Sequence, residues 1–519
     1  MEYLTANVAN PEWTEYRKKN GLDPLGMQTS SVSLYQALMP GISNVTLRVR
    51  YYGLYAWLAD TYAKRVGDTN PLQWQRFVRR AEALYALIAR QSGQEGGVAG
   101  VTWAARTLDA ASGTHIDFAS DAEPGSPTHY LKQAWGAYGA AYATQLYAIG
   151  IFADTTAHGL PVPSAGIGDA IAHAFGIAAG ALAERIFDAV QTAQVSRRSL
   201  EDMAGVLPSA IAAGGTERQL YESLLFAKAG LERESDRSRD RSLRLILNLV
   251  EHLGRIPTVQ ETRWELYTAV NAELDSQRQD QNELQAQRRR WWAYQANDLT
   301  HICYETLLKH VLDRLELYPD GVPLNQLLAE LLDELRAVEP KLASSWAEFV
   351  AAHTPAAAGV EERFAKDLIR AGSTTGACTA EDVLTAIKLL AVVYDRAQSG
   401  REVVRAQFDD IDATAFHSVW TELRFLETHR DSPLDGLLAN LIEQRVMRRH
   451  LWVAMRKLRY QGDYTFLIEV DNGLVRLRAK DGPVYTNPRL APAIRFLQDI
   501  HLVDGQGLTS RGKQLMVNG

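Results

Sequence analysis

The chain has 519 residues, 46% of them apolar and 23% charged, and a net charge of −7. This composition excludes a disordered chain, and the length exceeds one ordinary hydrophobic core, so about two to four domains are expected. Two cysteines, Cys303 and Cys378, exclude a disulfide framework and indicate a reducing compartment. Because no signal peptide and no apolar run long enough to cross a membrane is visible, we expect a cytoplasmic protein without a membrane partner.

The first distinctive segment, residues 40–58, combines a turn signal with a mixture of arginine and aromatic residues. Pro40 and Gly41 form the turn signal, and Ser43 is a residue type that often caps the N-terminus of a helix. The residues after Ser43 are mostly apolar or aromatic. We therefore predict a largely buried helix that starts at Ser43.

Arg48 and Arg50 lie inside this predicted helix, close to Tyr52. A buried guanidinium group must be paired, stacked or directed at a ligand. On a regular helix the two arginines point about 200° apart, so they cannot serve one pocket. We expect one of them to pair with Asp60, Glu82 or a distant acid. The other, with Tyr52, either completes a buried structural pair or contacts a ligand.

The sequence of this segment also resembles segments of other proteins. A Pro-Gly-x-Ser turn followed by Arg-x-Arg-Tyr-Tyr, within residues 40–52, is similar to segments near the N-termini of an uncharacterised bacterial family. Several members of that family are encoded near phage-defence genes. The likeness extends over about twenty of the 519 residues. It implies a bacterial protein with a role in phage defence, and it implies no catalytic residue.

Most of the chain shows helical periodicity. Val383, Ile387 and Leu390, for example, recur at three- and four-residue steps after Thr379. We therefore predict a mainly α, multi-domain protein that ends in a small α+β module. Breaks rich in Gly, Pro and polar residues predict an N-terminal helical domain at 1–210, a helical middle domain at 211–436 and a basic winged-helix-like module at 437–519.

Asp298, His301 and Glu305 form the one set of residues that suggests a reaction. They are spaced i, i+3 and i+7, so a helix would place them on one face, where they could bind a metal or move protons. Di-metal helical bundles need a second Glu-x-x-His helix, and the sequence has none. A buried hydrogen-bonded network between helices is the alternative interpretation.

Strand signals are concentrated near the C-terminus. The β-rich runs 464–470 and 474–478 flank Asp471-Asn472-Gly473. Asn-Gly between two such runs is the strongest short-range signal for a two-residue β-turn. We predict a β-hairpin here.

The last thirty residues resemble the closing part of a winged helix-turn-helix domain. A short helix ends near Ile500, a tight turn follows at 504–507, and Leu508-Thr-Ser-Arg-Gly512 opens another helix. In winged helices a Leu-Thr-x-x-Gly step follows the wing. The two helices that should come before this pattern are not evident, and a hairpin precedes it instead.

Charge is distributed unevenly along the chain. The tail from 438 to 519 has thirteen Lys and Arg and seven Asp and Glu residues, a net charge of +6, which leaves −13 for the rest. Such asymmetry is typical of a module that meets a polyanion. The resemblance to a winged helix implies groove contacts by Arg489 and Arg495 and phosphate contacts by Arg511 and Lys513. The full predicted DNA-binding set is Arg489, Arg495, Arg511, Lys513, Arg476 and Arg478.

These observations lead to one expected function and two alternatives. We expect a non-enzymatic DNA-binding or scaffold component of a bacterial anti-phage system, which binds double-stranded DNA without a cofactor or metal. Separately encoded ATPase or nuclease proteins would be its partners. One alternative is a metal-dependent nuclease or hydrolase that uses Asp298, His301 and Glu305. The other is a transcriptional regulator that senses a ligand near Arg48 and Tyr52.

Overall fold

The computed structural model describes residues 23–517, except for 94, 112, 155–157, 229–232, 277–281, 355–358, 374 and 411–415. Within these ranges the chain is mainly helical, as predicted, with small antiparallel sheets. A single cluster of buried apolar side chains extends from Leu25 to Leu515. The helices therefore share a continuous apolar interior.

The N-terminal part is built on α2 (Arg50–Arg65) and α3 (Pro71–Gln91), two helices rich in aromatic residues. The buried face of α2 packs against α7 (Ile167–Ala179), and that of α3 packs against α4 (Val101–Ala110) and α8 (Leu182–Thr192). Asn70 caps the start of α3 through a 3.0 Å bond from the Leu72 amide, with Pro71 at the first position. The elements are α1 (Gln28–Leu38), α2 (Arg50–Arg65), α3 (Pro71–Gln91), α4 (Val101–Ala110), β1 (His115–Asp117), α5 (Ala119–Ala122), α6 (Ala143–Ala148), α7 (Ile167–Ala179), α8 (Leu182–Thr192), β2 (Gln194–Ser196), α9 (Arg197–Asp202) and α10 (Thr216–Leu225). Strands β1 and β2 pair antiparallel.

The middle part surrounds one long helix, α13 (Glu283–Leu315), which has 33 residues. Every side chain from Trp291 to Leu312 is buried. The helix that contacts α13 most is α17 (Ala380–Ser399). It begins with a capping box between Thr379 and Asp382, so the predicted helix after Thr379 is confirmed. The elements are α11 (Glu234–Leu253), α12 (Val259–Ser276), α13 (Glu283–Leu315), β3 (Val322–Pro323), α14 (Leu324–Val338), α15 (Trp346–His353), α16 (Val360–Ala371), α17 (Ala380–Ser399), α18 (Arg401–Phe408), α19 (Val419–Thr428) and α20 (Leu434–Asn440).

The C-terminal part contains the predicted hairpin. A π-helical segment, Leu441–Met447, leads into α21 (Arg448–Gln461), and β4 (Ile468–Asp471) and β5 (Leu474–Leu477) then pair antiparallel. Asn472 and Gly473 have φ of 52° and 78°, as a two-residue hairpin turn requires, so the hairpin is confirmed with shorter strands than predicted. Strand β3 extends the sheet along the other edge of β5. The chain ends with α22 (Leu490–Asp499), the short hairpin of β6 (Val503–Asp504) and β7 (Gly507–Leu508), and α23 (Ser510–Val517).

The opening segment folds differently from its prediction. The helix begins at Arg50, not at Ser43. Thr46 accepts a hydrogen bond from the Ser43 amide at 2.8 Å and donates one to the Ser43 carbonyl at 2.9 Å. This local ring of side-chain and backbone bonds makes a turn of the residues that a helix would need. Arg48 therefore precedes the helix, and the predicted 200° separation from Arg50 does not apply.

The predicted domain boundaries are crossed by many contacts. Ser30 donates to the His417 carbonyl at 2.7 Å, and the Tyr52 and Phe496 rings meet edge to face at 5.5 Å between centroids. Arg511, near the C-terminus, pairs with Glu222 on α10. The division at 210 and 436 stays a prediction. The α21–α23 region is packed on both of the other parts.

The Ala-rich run after Ile167 forms α7, which buries Phe175 against Trp57 at 5.8 Å between ring centroids and leaves Ile177 67% exposed. In the described part of the chain, no single helix has both the length and the apolar content to cross a membrane. Helices α7 and α8 meet that criterion only as a pair, bent by 98°.

Candidate nucleic-acid interface

Arg48 is buried and paired with acids distant in the sequence. Its Nε lies 3.0 Å from Asp499 on α22, and its Nη1 contacts Glu95 and the Gly96 carbonyl. The Val49 amide also donates to Asp499 at 3.1 Å. Burial lowers the pKa of Arg48, but the two carboxylates outweigh burial and raise it. Arg48 is 2% exposed, so its guanidinium group is committed to a structural pair.

Arg50 and Tyr52 are committed in the same way. Arg50 donates to both carboxylate oxygens of Glu217, at 3.0 and 2.9 Å, and to the carbonyls of Gly205 and Leu207. The Tyr52 ring is fully buried and its hydroxyl donates to a backbone carbonyl. Burial raises its pKa. A ligand has no access to either side chain.

Of the acids expected to pair with these arginines, neither Asp60 nor Glu82 does so. Asp60 bonds to Lys64 one turn along α2. Glu82 accepts hydrogen bonds from the hydroxyls of Tyr55 and Tyr130. The alternative of a distant acid is confirmed for both arginines, which pair with Asp499 and Glu217.

Asp298, His301 and Glu305 do lie on one face of α13, and most of their polar atoms bond to other parts of the chain; His301 Nδ1, 3.3 Å from Asp298, has no hydrogen bond to a described residue. The segment 484–486 lies against this face. Thr486 donates its hydroxyl to Asp298 at 2.5 Å, and the Val484 amide donates to Glu305 at 3.3 Å. His301 Nε2 lies 2.8 Å from the Val484 carbonyl.

Arg263 completes this network from α12. It pairs with Asp298 at 3.1 Å and donates to the Thr486 carbonyl at 2.7 Å. Burial raises the pKa of Glu305 to about 7, while the Asp298 and Glu305 carboxylates together overcome burial and raise the pKa of His301. Over the described residues, no group of three His, Cys, Asp or Glu side chains has a metal-binding arrangement. The geometry is that of the buried network, the alternative interpretation of these residues.

The predicted DNA-binding residues do not form one surface. Arg489 is 7% exposed and donates to the Met39 carbonyl at 3.1 Å, so it does not reach a phosphate. Arg511 pairs with Glu222. Burial raises the pKa of that carboxyl, but three cations outweigh burial and lower the pKa to about 2. The hairpin arginines, Arg476 and Arg478, pair with the acids Asp471 and Glu469 on the opposite strand.

The remaining two are exposed but isolated. Arg495 is 46% exposed, 3.9 Å from the buried Asp499, and Lys513 has no ion pair with any described residue. On α22, only Ala491, Arg495 and the half-buried Gln498 face solvent. A recognition helix presents several base-contacting side chains to a groove, and α22 offers too little exposed surface for that.

The positive charge of the tail is largely neutralised within the molecule. Lys480 pairs with Asp313 at 2.9 Å and with Glu316, and Arg445 pairs with Glu422 at 3.2 Å. These acids, like Glu222, belong to residues 1–437, which carry the net charge of −13. We name this part of the chain the acidic body. The uneven charge of the sequence therefore reflects, to a large extent, pairing between the tail and the body.

Within the described residues, a basic surface faces solvent on α21, where Arg448 is 68% exposed although it pairs with Glu443. Arg448, Trp452, Met455 and Arg459 occur at i, i+4, i+7 and i+11, and all four are exposed. This spacing places them in a single stripe along the helix. Tyr460, at 73% exposed, extends the stripe at its end. We name these five residues the α21 stripe.

A cavity of about 990 Å³ opens beside the stripe. One wall is α21, and the other comes from the turn before α1 and from Phe416. Asp23, the acid in this wall, is occupied by the Gln28 and Thr29 amides at 3.0 Å each. The lining residues include Thr29, Phe416, Trp452, Met455, Arg456, Lys457, Arg459 and Tyr460.

Arginine side chains hold the aromatic rings at this surface. The Arg449 guanidinium lies 4.5 Å from the Trp452 ring centroid, and Arg456 lies 4.7 Å from Phe416. Arg459 lies 5.6 Å from Tyr460, and no ion pair is formed by Arg459 within the part of the chain that the structure describes. Cations over aromatic faces, with rings left in water, form a surface suited to an anionic aromatic ligand.

Sequence reasoning did not identify this surface, although its signal was present. The helix reads Arg-Arg-His-Leu-Trp-Val-Ala-Met-Arg-Lys-Leu-Arg-Tyr from 448 to 460. Its amphipathic pattern predicts a helix with one buried face. The four-residue spacing of Arg448 and Trp452 already indicated that a basic and aromatic face lies opposite the buried one.

No family model, no curated protein and no solved structure matches the chain.

Proposed function

We propose that the protein is a non-enzymatic nucleic-acid-binding or scaffold component of a bacterial anti-phage system, and that the α21 stripe contacts the nucleic acid. The observation that carries the proposal is the exposed combination of Arg448, Trp452, Arg459 and Tyr460 beside an open cavity. Cations on such a surface attract phosphates, and aromatic rings stack on bases.

The alternatives have less support. Asp298, His301 and Glu305 each bond to the segment 484–486, which supports a structural role for them. Arg48 and Tyr52 are buried, and their polar groups already bond to Asp499, Glu95 and the Gly41 carbonyl. The role in phage defence and the ATPase or nuclease partners are part of the proposal through the resemblance at residues 40–52.

The acidic body accounts for the scaffold part of the proposed function. It carries most of the negative charge of the chain. Phosphates are repelled by negative charge, so this charge favours nucleic-acid contact at the basic α21 stripe over contact with the acidic part. The remaining helical surface is then available to protein partners, as a scaffold requires.

The test compares two double variants that each remove two positive charges. Arg448→Gln/Arg459→Gln changes the stripe, and Lys366→Gln/Arg370→Gln changes two exposed cations on α16. Binding of a labelled 30-nucleotide strand and of its duplex is measured between 50 and 300 mM salt. We expect the stripe variant to weaken binding at least tenfold at low salt and to lower the slope of log K against log salt by roughly 1.5.

The α16 variant should bind like the unchanged protein. A third variant, Arg495→Gln/Lys513→Gln, tests the two exposed residues of the winged-helix prediction. If that variant loses binding while the stripe variant retains it, the interface lies on α22 and α23 instead. If the unchanged protein binds neither the strand nor the duplex, the nucleic-acid function is wrong.

A further inference from the structure

The α21 region exposes an unusual amount of aromatic surface. Trp452 is 42% exposed, Tyr460 73% and Tyr464 49%. All three lie within thirteen residues of one another. Exposed apolar surface costs free energy in water, and contiguous patches of it mark binding sites. Phosphate contacts alone do not use aromatic rings, so electrostatics does not account for them.

The shape of the site distinguishes paired from unpaired nucleic acid. A helix that reads a duplex must protrude far enough to enter the major groove. Helix α21 instead forms one wall of a cavity, with Phe416 and the turn before α1 opposite it. In a duplex the base faces are stacked on one another and cannot reach the rings that line this cavity. The bases of a single strand can leave the stack and enter it.

We propose that the α21 stripe binds single-stranded nucleic acid, with bases stacked on Trp452 and Tyr460 and phosphates held by Arg448 and Arg459. This inference rests on the proposed nucleic-acid function and specifies its substrate. Arg449 and Arg456, at 4.5 and 5.5 Å from the Trp452 centroid, fix the orientation of that ring before the strand arrives. The proposed partner, a single strand, thus differs from the double-stranded DNA expected from the sequence.

The experiment measures the affinity of the full chain for three labelled probes at 100 mM salt. The probes are a 20-nucleotide oligothymidylate, the RNA strand rU20 and a 20-base-pair duplex. We expect a single strand, DNA or RNA, to bind at least tenfold more tightly than the duplex. Preference for either single strand supports the inference, and the better of the two identifies the sugar.

Three variants assign the effect to the rings. Trp452→Leu should weaken single-strand binding on the order of tenfold, because one stacking platform is lost, and should leave the salt slope unchanged. Trp452→Phe keeps a ring and should restore most of the affinity. Leu72→Ala, which changes an exposed apolar side chain on α3 outside the stripe, is the control and should bind normally.

The two levels of the proposal fail in different ways. If the duplex binds as tightly as both single strands and Trp452→Leu has no effect, the single-strand inference is overturned and the nucleic-acid function stands. If no probe binds, both are overturned, and the exposed rings would then fit a protein partner.

Discussion

Arg48 and Asp499 form an ion pair between residues 451 positions apart in the chain, and both side chains are nearly inaccessible to solvent. A buried charge is costly unless its partner is present. The Val49 amide and the guanidinium group together satisfy Asp499. The pair therefore fixes the start of α2 against α22.

Replacing Arg48 by Met should destabilise the protein strongly. Asp499 would remain buried with only one donor, so we expect the free energy of unfolding to fall by about 3–5 kcal/mol. Arg185→Met, which breaks an exposed pair with Asp202 at 3.0 Å, is the matched control, with an expected change below about 1 kcal/mol. Urea unfolding measures both. Equal small losses would mean that the pair has no structural importance.

Glu305 and His301 make stability depend on pH in one direction. Burial raises the pKa of Glu305 to about 7, so between about pH 4.5 and 7 the folded state holds a proton that the unfolded state has lost. The raised pKa of His301 gives extra stability below its usual titration range, and this is lost as the pH rises through its folded value. Both groups therefore make the free energy of unfolding fall as the pH rises through neutrality.

Glu305→Gln should flatten this dependence. The amide keeps the size of the side chain and removes its ionisation. Between pH 5 and 7.5, we expect the unchanged protein to lose about 2 kcal/mol relative to the variant. Urea unfolding at several pH values gives the two slopes. Parallel curves would show that Glu305 does not titrate in this range in the folded protein.

At this scale the sequence was informative about residue type and uninformative about partners. Buried arginines near aromatic residues indicated that Arg48 and Arg50 need acids. Nearby acids were the natural candidates, but Asp499 and Glu217 come close only in the folded chain. The identity of a long-range partner depends on tertiary packing, which one sequence does not contain.

Among the elements, the hairpin shows what short-range chemistry determines. Asn472 and Gly473 both have positive φ, and few other residue types accept that conformation. The prediction from Asn-Gly was therefore correct. At Ser43, by contrast, Thr46 closed a turn where a cap was expected. Both residue types serve caps and turns, so the sequence alone could not decide between them.

Gly473→Ala tests the hairpin turn. A methyl group would meet no neighbouring atom, but φ at this position is 78°, so the cost is conformational. We expect a loss of about 1–2 kcal/mol in the free energy of unfolding. Gly436→Ala, in α20, is the control because it also meets open space but has no positive φ. That substitution should be neutral or stabilise by up to about 1 kcal/mol.

For the whole molecule, amphipathic periodicity was sufficient to predict a mainly helical protein, because most described helices bury one face. Their arrangement was not predictable. The charge totals suggested a separate basic module, yet Arg511 and Lys480 pair with acids of the body. A sum of charges gives no information on whether opposite charges meet inside the molecule. The exposed α21 stripe became apparent only after those pairs were assigned.

The contact between Phe496 and Tyr52 tests whether the tail folds with the body. Phe496 is fully buried on α22, and its ring meets Tyr52 of α2. Phe496→Ala should cost about 3–5 kcal/mol in the free energy of unfolding. If the two parts unfold together, hydrogen exchange should show that the amides of α2 lose as much protection as those of α22 and α23.

Ile177→Ala is the control for this experiment, because that side chain is 67% exposed on α7, which also packs on α2. It should change neither the free energy of unfolding nor the exchange of α2 by more than about 0.5 kcal/mol. Loss of protection confined to 490–517 in the Phe496 variant would identify an independent module after all. The pairs Arg48–Asp499 and Arg511–Glu222 argue against that outcome. If the tail opened alone, Arg48 would stay buried in the rest of the molecule without Asp499, and the buried Glu222 would lose one of its cations.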